Sequence, residues 1–232
     1  MKIGIMQPYF WPYLGYFQLI KAVDKFVVYD NIQYTKKGWI NRNRYLCNGS
    51  DKYFTIALEK DSDFLDIRQR HVSKDFDRKK LKNQIEMAYK KAPYFQEVFP
   101  IFKECIDYTN NNLFEYILYA LKNILKYLEI NTEITISSDL DTNCGLKGKD
   151  RVLAICKELN GTHYINPVGG MELYQKEEFM ENSIELSFIK MKDELSYKQF
   201  SSDFVSSLSI LDVMMFNSRE EIQKMLCEYT LI

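Results

Sequence analysis

The chain is short of the groups that do acid–base and metal chemistry near neutral pH. Only two of its 232 residues are histidine. Its five cysteines, Cys47, Cys105, Cys144, Cys156 and Cys227, are scattered, odd in number and without Cys-x-x-Cys spacing. That pattern argues against a disulfide framework and a structural zinc site, and it fits a reducing compartment. No apolar run reaches the roughly 20 residues that cross a bilayer as a helix. The opening residues form a charged strand rather than a basic stretch leading into a long apolar one. A cytoplasmic protein with no membrane partner is expected. Net charge is −1, so no overall field draws in nucleic acid or anionic lipid. Repeats, low-complexity linkers and composition breaks are also missing, and we expect one α/β domain over residues 1–232.

Aromatic residues, by contrast, are abundant: seventeen Tyr and fifteen Phe beside two Trp. A coding bias toward Tyr, Phe, Lys, Asn and Ile would explain the total but not its concentration in the first forty-five residues. There, Lys2–Met6 has the pattern of a short buried strand and runs into Gln7-Pro8-Tyr9-Phe10-Trp11-Pro12-Tyr13. Two prolines exclude a helix interior and a central strand for that loop. Gly15 follows, then a helical stripe at Phe17, Ile20 and Val23, then the strand-like run Phe26–Tyr29 ending in Asp30. This is the shape of a βαβ unit. Ligands of open α/β sheets bind beyond the carboxyl ends of the strands, where Gln7, Tyr9, Trp11, Tyr13 and Asp30 would lie. Asp30 is expected as a catalytic carboxylate, at a position where such a group commonly contacts ribose or sugar hydroxyls.

Downstream, Lys52–Leu58 and Phe64–Val72 have the character of strands or extended arms. Asp75 is placed to cap a basic helix reaching about Lys91, and a second helix begins near Tyr94. A third, from Leu113, carries the stripe Leu113, Ile117, Leu121, Ile124 and Leu128. Strands are expected at Glu133–Ser137, Thr162–Ile165 and Ile184–Ile189, with a helix at Asp150–Leu159 between the first two. Ser218 with Glu221 makes a capping box for a last helix. The order predicts a Rossmann-like, mostly parallel sheet with helices on both faces and a helical insertion at about residues 75–130.

Five groups of residues could carry chemistry. Residues 12–20, PYLGYFQLI, are similar to the strand-loop-helix opening of nucleotidylyl transferases, where two histidines flank a glycine and hold triphosphate. Here Tyr13 and Tyr16 stand in those places around Gly15, and tyrosine brings no positive charge. A weakened phosphate-binding role and a purely structural turn are both compatible with that. In YTKKGWINRNR, residues 34–44, an extended stretch puts Arg42 and Arg44 on one face and Asn41 and Asn43 on the other. With Trp39 they suit an anionic ligand with a stacking surface, or else a solvated basic hairpin. His163, in Thr162-His163-Tyr164-Ile165-Asn166-Pro167, is expected near a strand carboxyl end as a general base, with a packed core histidine as the alternative. Asn166, Gly169 and Gly170 could cradle an oxyanion or phosphate. Asp212 lies among apolar residues and needs a buried partner, an Arg, a His or a backbone segment. Cys144, before Gly145 and near Lys147 and Lys149, is the one cysteine in a basic setting.

IMQPYFWPYLGYFQLI, DKFVVYD, YTKKGWINRNR, THYINPVGG and LSILDVMMFN together resemble the WbqC-like family, found in bacterial gene clusters for O-antigen and other surface polysaccharides. The resemblance implies a role in surface-polysaccharide biosynthesis. Some members carry the label glycine transferase, which implies transfer of an acyl or aminoacyl group to the amine of a nucleotide-linked amino sugar. On that reading the diphosphate meets Arg42, Arg44 and the Tyr13/Gly15/Tyr16 helix start, and Tyr9, Trp11 and Trp39 stack on sugar or base. His163 takes the proton. The donor would be an acyl-coenzyme A, an acyl carrier protein or an aminoacyl-tRNA, with no other nucleic acid and no metal. An ATP-dependent ligase or nucleotidylyl transferase of altered chemistry, and a non-catalytic sugar-nucleotide-binding accessory protein, are the alternatives.

Overall fold

A computed structural model describes residues 1–141, 145–201 and 203–232. Strand β1 (Lys2–Met6), helix α1 (Leu14–Ala22) and strand β2 (Lys25–Val28) form the expected βαβ unit, with β1 and β2 parallel and Met6 opposite Val28. A hairpin follows, β3 (Arg42–Cys47) and β4 (Ser50–Thr55), closed by Asn48-Gly49 with both residues at positive φ. Asn-Gly tolerates that conformation at low cost and matches the twist of the flanking strands. Helices α2 (Arg78–Tyr89), α3 (Phe95–Asp107) and α4 (Leu113–Tyr127) make the insertion. The chain then returns to the sheet through β5 (Glu133–Ile136), α5 (Gly148–Glu158) and β6 (His163–Pro167). It continues with α6 (Lys176–Met180), β7 (Glu185–Met191), α7 (Ile210–Phe216), α8 (Arg219–Met225) and β8 (Tyr229–Leu231).

The sheet order is β5-β2-β1-β6-β7-β8, parallel except for β8. The protein is therefore α/β, with helices on both faces of a mostly parallel sheet. Period-two alternation divides the core. Phe26, Val28 and Ile165 pack on the side of α1, whereas Ile3, Ile5 and Val27 pack against Val152, Ile155 and Cys156 of α5. The order reverses between β1 and β6, since the chain winds outward from β1 in one direction and from β6 in the other. Such a switch point leaves a crevice at the strand carboxyl ends.

Local signals explain the helix limits. Asn112 accepts from the Glu115 amide and opens α4, and Ser218 and Glu221 form the reciprocal box at α8. Helix α2 starts later than the cap at Asp75 predicted. Phe76 is buried, so Asp77 takes the cap and accepts from the Lys80 amide at 2.8 Å. Residues 64–72 form an arm rather than a strand, with one short 3-10 turn at Ile67–Gln69 and single bridges from Asp66 to Gln33 and from Val72 to Leu58. Asp212, fully buried, accepts from Tyr89 and Tyr197 hydroxyls at 2.7 Å and from the Gln199 amide at 2.8 Å. Its partners are phenols and an amide, not the expected Arg, His or backbone segment. Burial raises its carboxyl pKa, and the three donors oppose that rise. No helix among the described residues is long and apolar enough to cross a membrane.

Candidate functional site

A cleft of two lobes lies at the strand carboxyl ends. The larger lobe, about 450 Å³, sits at the switch point and is lined by Met6 at the end of β1 and Gln7 after it, Tyr29 after β2, Asn166 near the end of β6 with Gly169 and Gly170 after it, and Gly148 and Val152 of α5. The smaller, about 290 Å³, lies between Tyr9, Pro12, Tyr13, Trp39, Asn43, Arg44 and Ser207. Tyr9 borders both. Volume alone does not single out this cleft, because a groove along α2 beside Cys47 and Lys80 measures about 510 Å³. The cleft is distinguished by its position at the sheet and by the groups that converge on it.

Those groups are chiefly neutral donors. Tyr9, Tyr29, Tyr164 and Tyr174 line the larger lobe. Burial raises the pKa of each of the four phenols, so all keep their protons at neutral pH and can donate. Tyr29 also lies under the guanidinium of buried Arg151, 4.8 Å from ring centre to Cζ. Asn166 is held from behind, its Oδ1 accepting from the Tyr164 hydroxyl at 3.1 Å. Gly170 packs beside it, and a Cβ there would come within 1.9 Å of the Asn166 amide nitrogen and push that side chain aside. Gly148 begins α5 at a φ of +52°, which an L side chain rarely adopts, and α5 has no side-chain N-cap. Among the described residues no side-chain N-cap takes its first amides, which can meet water or an anion.

The expected site residues fall into three sets. Gln7, Tyr9, Asn166, Gly169 and Gly170 meet in the larger lobe, and Tyr9, Tyr13, Trp39 and Arg44 meet in the smaller. Arg42 lies on the same hairpin face as Arg44, over the Tyr53 ring at 4.7 Å, with its guanidinium donating to the carbonyls of Lys37 and Gly38. The remainder serve the framework. Trp11 is buried against Phe102, so it cannot stack on a ligand. Tyr16 is buried and donates to the Gln7 carbonyl at 2.9 Å. Gly15 lies under the Tyr13 ring, where a Cβ would meet Cε2 at 2.4 Å. That ring covers the start of α1, the place a triphosphate would need. Asn41 is buried between the Tyr34 hydroxyl and the Ile56 carbonyl. Asp30, 1% exposed, accepts from the Ser138 amide at 2.9 Å, tying β2 to the turn after β5.

His163 requires the largest correction. It is the first residue of β6, paired in register with Lys2, so it lies at the amino end of the sheet, opposite the cleft. Its Nε2 is 2.9 Å from the Ser187 hydroxyl, and burial lowers its pKa. Strand length decides this: β6 runs on to Pro167, so the carboxyl end is reached four residues after the histidine. Cys144 lies outside the described residues. Tyr29, Tyr164, Tyr174, Gly148 and Ser207 are cleft residues that motif reading passes over. Only Tyr29 leaves a trace, as the polar-tipped last residue of an otherwise apolar strand run.

No solved structure matches the chain. The uncharacterized protein Rv1507c of Mycobacterium tuberculosis (strain ATCC 25618 / H37Rv) is 30% identical over 218 residues, 92% of each of the two chains. The model of the WbqC-like protein family matches residues 7–224. That match begins at Gln7 on the rim of the larger lobe and covers most of the chain, so the chain belongs to the WbqC-like protein family.

Proposed function

We propose that this protein acts in bacterial surface-polysaccharide biosynthesis, holding a nucleotide-linked amino sugar in the larger lobe while an acyl or aminoacyl group is transferred to the sugar amine. The observation that carries the reading is the lobe at the β1/β6 switch point, where phenol, amide and helix-start donors converge without a neutralising carboxylate among the described lining residues. Such a set suits an uncharged, hydroxyl-rich sugar beside a phosphate. Phenols that stay protonated can also donate to the oxyanion that forms as an amine adds to a carbonyl. The diphosphate moves, on this reading, from the start of α1 to the start of α5, because the Tyr13 ring covers the first and Gly148 leaves the second open.

A second reading is supported by one observation. Among the described residues the larger lobe is lined by no histidine, carboxylate or cysteine, as would suit a non-catalytic sugar-nucleotide-binding partner of another enzyme. One experiment tests both. Purified protein is titrated with a set of nucleotide-linked amino sugars by thermal shift, and each mixture is then given acyl and aminoacyl donors and searched for N-acylated sugar by mass spectrometry. A ligand at 100 times its Kd adds about 2.7 kcal/mol. Stabilisation together with N-acylated product supports transfer. Stabilisation with no product from any donor supports the binding protein, and no stabilisation by any sugar nucleotide defeats both.

A further inference from the structure

Outside the larger lobe, the hairpin carries an exposed aromatic face that the fold does not need. Trp39 and Tyr53 are 38% and 51% exposed and nearly parallel, with ring centres 6.2 Å apart and planes 22° apart. Large rings left in water gain little from burial, and their clustering on a surface marks a place of contact. Arg42 lies over Tyr53 at 4.7 Å and Arg44 over Trp39 at 5.7 Å. Both forks are fixed in advance. Arg44 donates to the Ser207 carbonyl at 2.9 Å and pairs with Asp51 at 3.3 Å, while Arg42 is bonded to the Lys37 and Gly38 carbonyls, which hold it without cancelling its charge.

The face therefore offers flat rings and fixed positive charge side by side. A bare sugar or a lipid chain would leave Arg42 without a counter-charge. A nucleobase joined to phosphate satisfies both features, since every base has a π-face and guanidinium matches phosphate oxygens. Position adds the rest. Trp39 and Arg44 also line the smaller lobe, which has the Tyr9 ring as a wall in common with the larger. At about 290 Å³ it is smaller than its neighbour and has room for a chain-like arm.

We infer that the Trp39/Tyr53 face is the docking site of the second substrate, an acyl thioester borne on a nucleotide carrier. The inference rests on the acyl-transfer reading above and assigns its donor. The base stacks on Trp39 and Tyr53, and the phosphates meet Arg42 and Arg44. The thioester arm passes along the smaller lobe beside Tyr9 to the sugar amine. The amine nitrogen adds to the thioester carbonyl, a C–N bond forms and the C–S bond breaks. The proton lost by the nitrogen leaves with the sulfur, giving an amide and a free thiol.

The chain's two tryptophans make the site directly observable, because Trp11 is buried and only Trp39 is open to a ligand. Intrinsic fluorescence is titrated with coenzyme A, with ADP and with pantetheine, which has the arm but no base. Coenzyme A and ADP should quench saturably and pantetheine should not. Tyr53→Ala, an exposed change that keeps the fluorophore, should weaken coenzyme A by about 5- to 150-fold, the range for one base–aromatic stack. It should leave the thermal shift given by a sugar nucleotide unchanged. The inference is overturned by an absence of saturable quenching, by an affinity that Tyr53→Ala leaves intact, or by competition between sugar nucleotide and coenzyme A for one site. Quenching by coenzyme A in a protein that binds no sugar nucleotide would keep the nucleotide site and defeat the acyl-transfer reading instead.

Discussion

The loops after β1 and β6 leave adjacent strands at the same end of the sheet, yet they are built in opposite ways. The loop after β1 is bolted down. Its Phe10 amide bonds the carbonyls of Trp39 and Ile40, and Asn43 donates to the carbonyls of Phe10 and Trp11. The Ser209 hydroxyl is a second donor to the Trp11 carbonyl, at 2.7 Å. These bonds keep Trp11 at a φ of +46°, in the left-handed region that costs a non-glycine residue about 1–3 kcal/mol. The loop after β6 leaves Met171 and Leu173 exposed and relies on the Asn166–Tyr164 contact with Gly170 packed beside it. One wall of the cleft is thus rigid framework with Tyr9 and Tyr13 turned outward around buried Phe10 and Trp11, and the other is an open lip. A binding site needs both: fixed donors on the first, and room for a ligand to enter on the second.

The difference breaks most sharply at Trp11. Trp11→Ala should cost about 3 kcal/mol of unfolding free energy in denaturant titration, the low end for such truncations, because the indole nitrogen finds no partner among the described residues and its loss relieves that penalty. A change below about 1 kcal/mol would mean that the loop is not held by its rings.

Gly170→Ala is the matching change on the open lip. The clash falls on the end of a side chain, so Asn166 can swing away and the cost is about 1 kcal/mol, one hydrogen bond to Tyr164. Sugar-nucleotide affinity should fall about tenfold, read by thermal shift. Gly169→Ala, which meets nothing within 4 Å, should change stability by less than about 0.5 kcal/mol. Equal effects from the two alanines would remove Asn166 from the site.

The smallest effect belongs to His163, at the far end of the same strand. Its pKa is lowered from 6.5 by burial, so the unfolded chain binds the proton more readily than the native one. Stability should therefore rise with pH across the window just below 6.5, be complete above it, and be lost again on acidification. His163→Gln should flatten that slope in melting curves taken between pH 5 and 7.5. It should leave transfer or ligand binding unaltered, because the ring is not in the cleft. A loss of activity with unchanged stability would bring the histidine back into the chemistry.

Much of this was written in the chain. The βαβ start, the stripe of α4, the box at Ser218 and Glu221, and the shared face of Arg42 and Arg44 follow from periods of 2 and 3.6 and from local hydrogen bonds, which act within a few residues. Five short stretches also carry the family. Irregular backbone has no such period. In Tyr9-Phe10-Trp11-Pro12-Tyr13 the outward Tyr9 and Tyr13 and the buried Phe10 and Trp11 are sorted by what lies opposite, Phe54 and Tyr116 around Phe10 and Phe102 against Trp11. Those partners stand some forty to a hundred positions away and are brought up by the hairpin and the helical insertion. The same holds for Asp212, whose donors come from α2 and from residues 197–199, and for His163, whose end of the sheet was settled by how far β6 extends. Sequence by itself determined the elements and the kinds of side chain near the strand ends. Tertiary structure alone decided which of them face the cleft, because burial is a property of what packs against a residue and not of the residue.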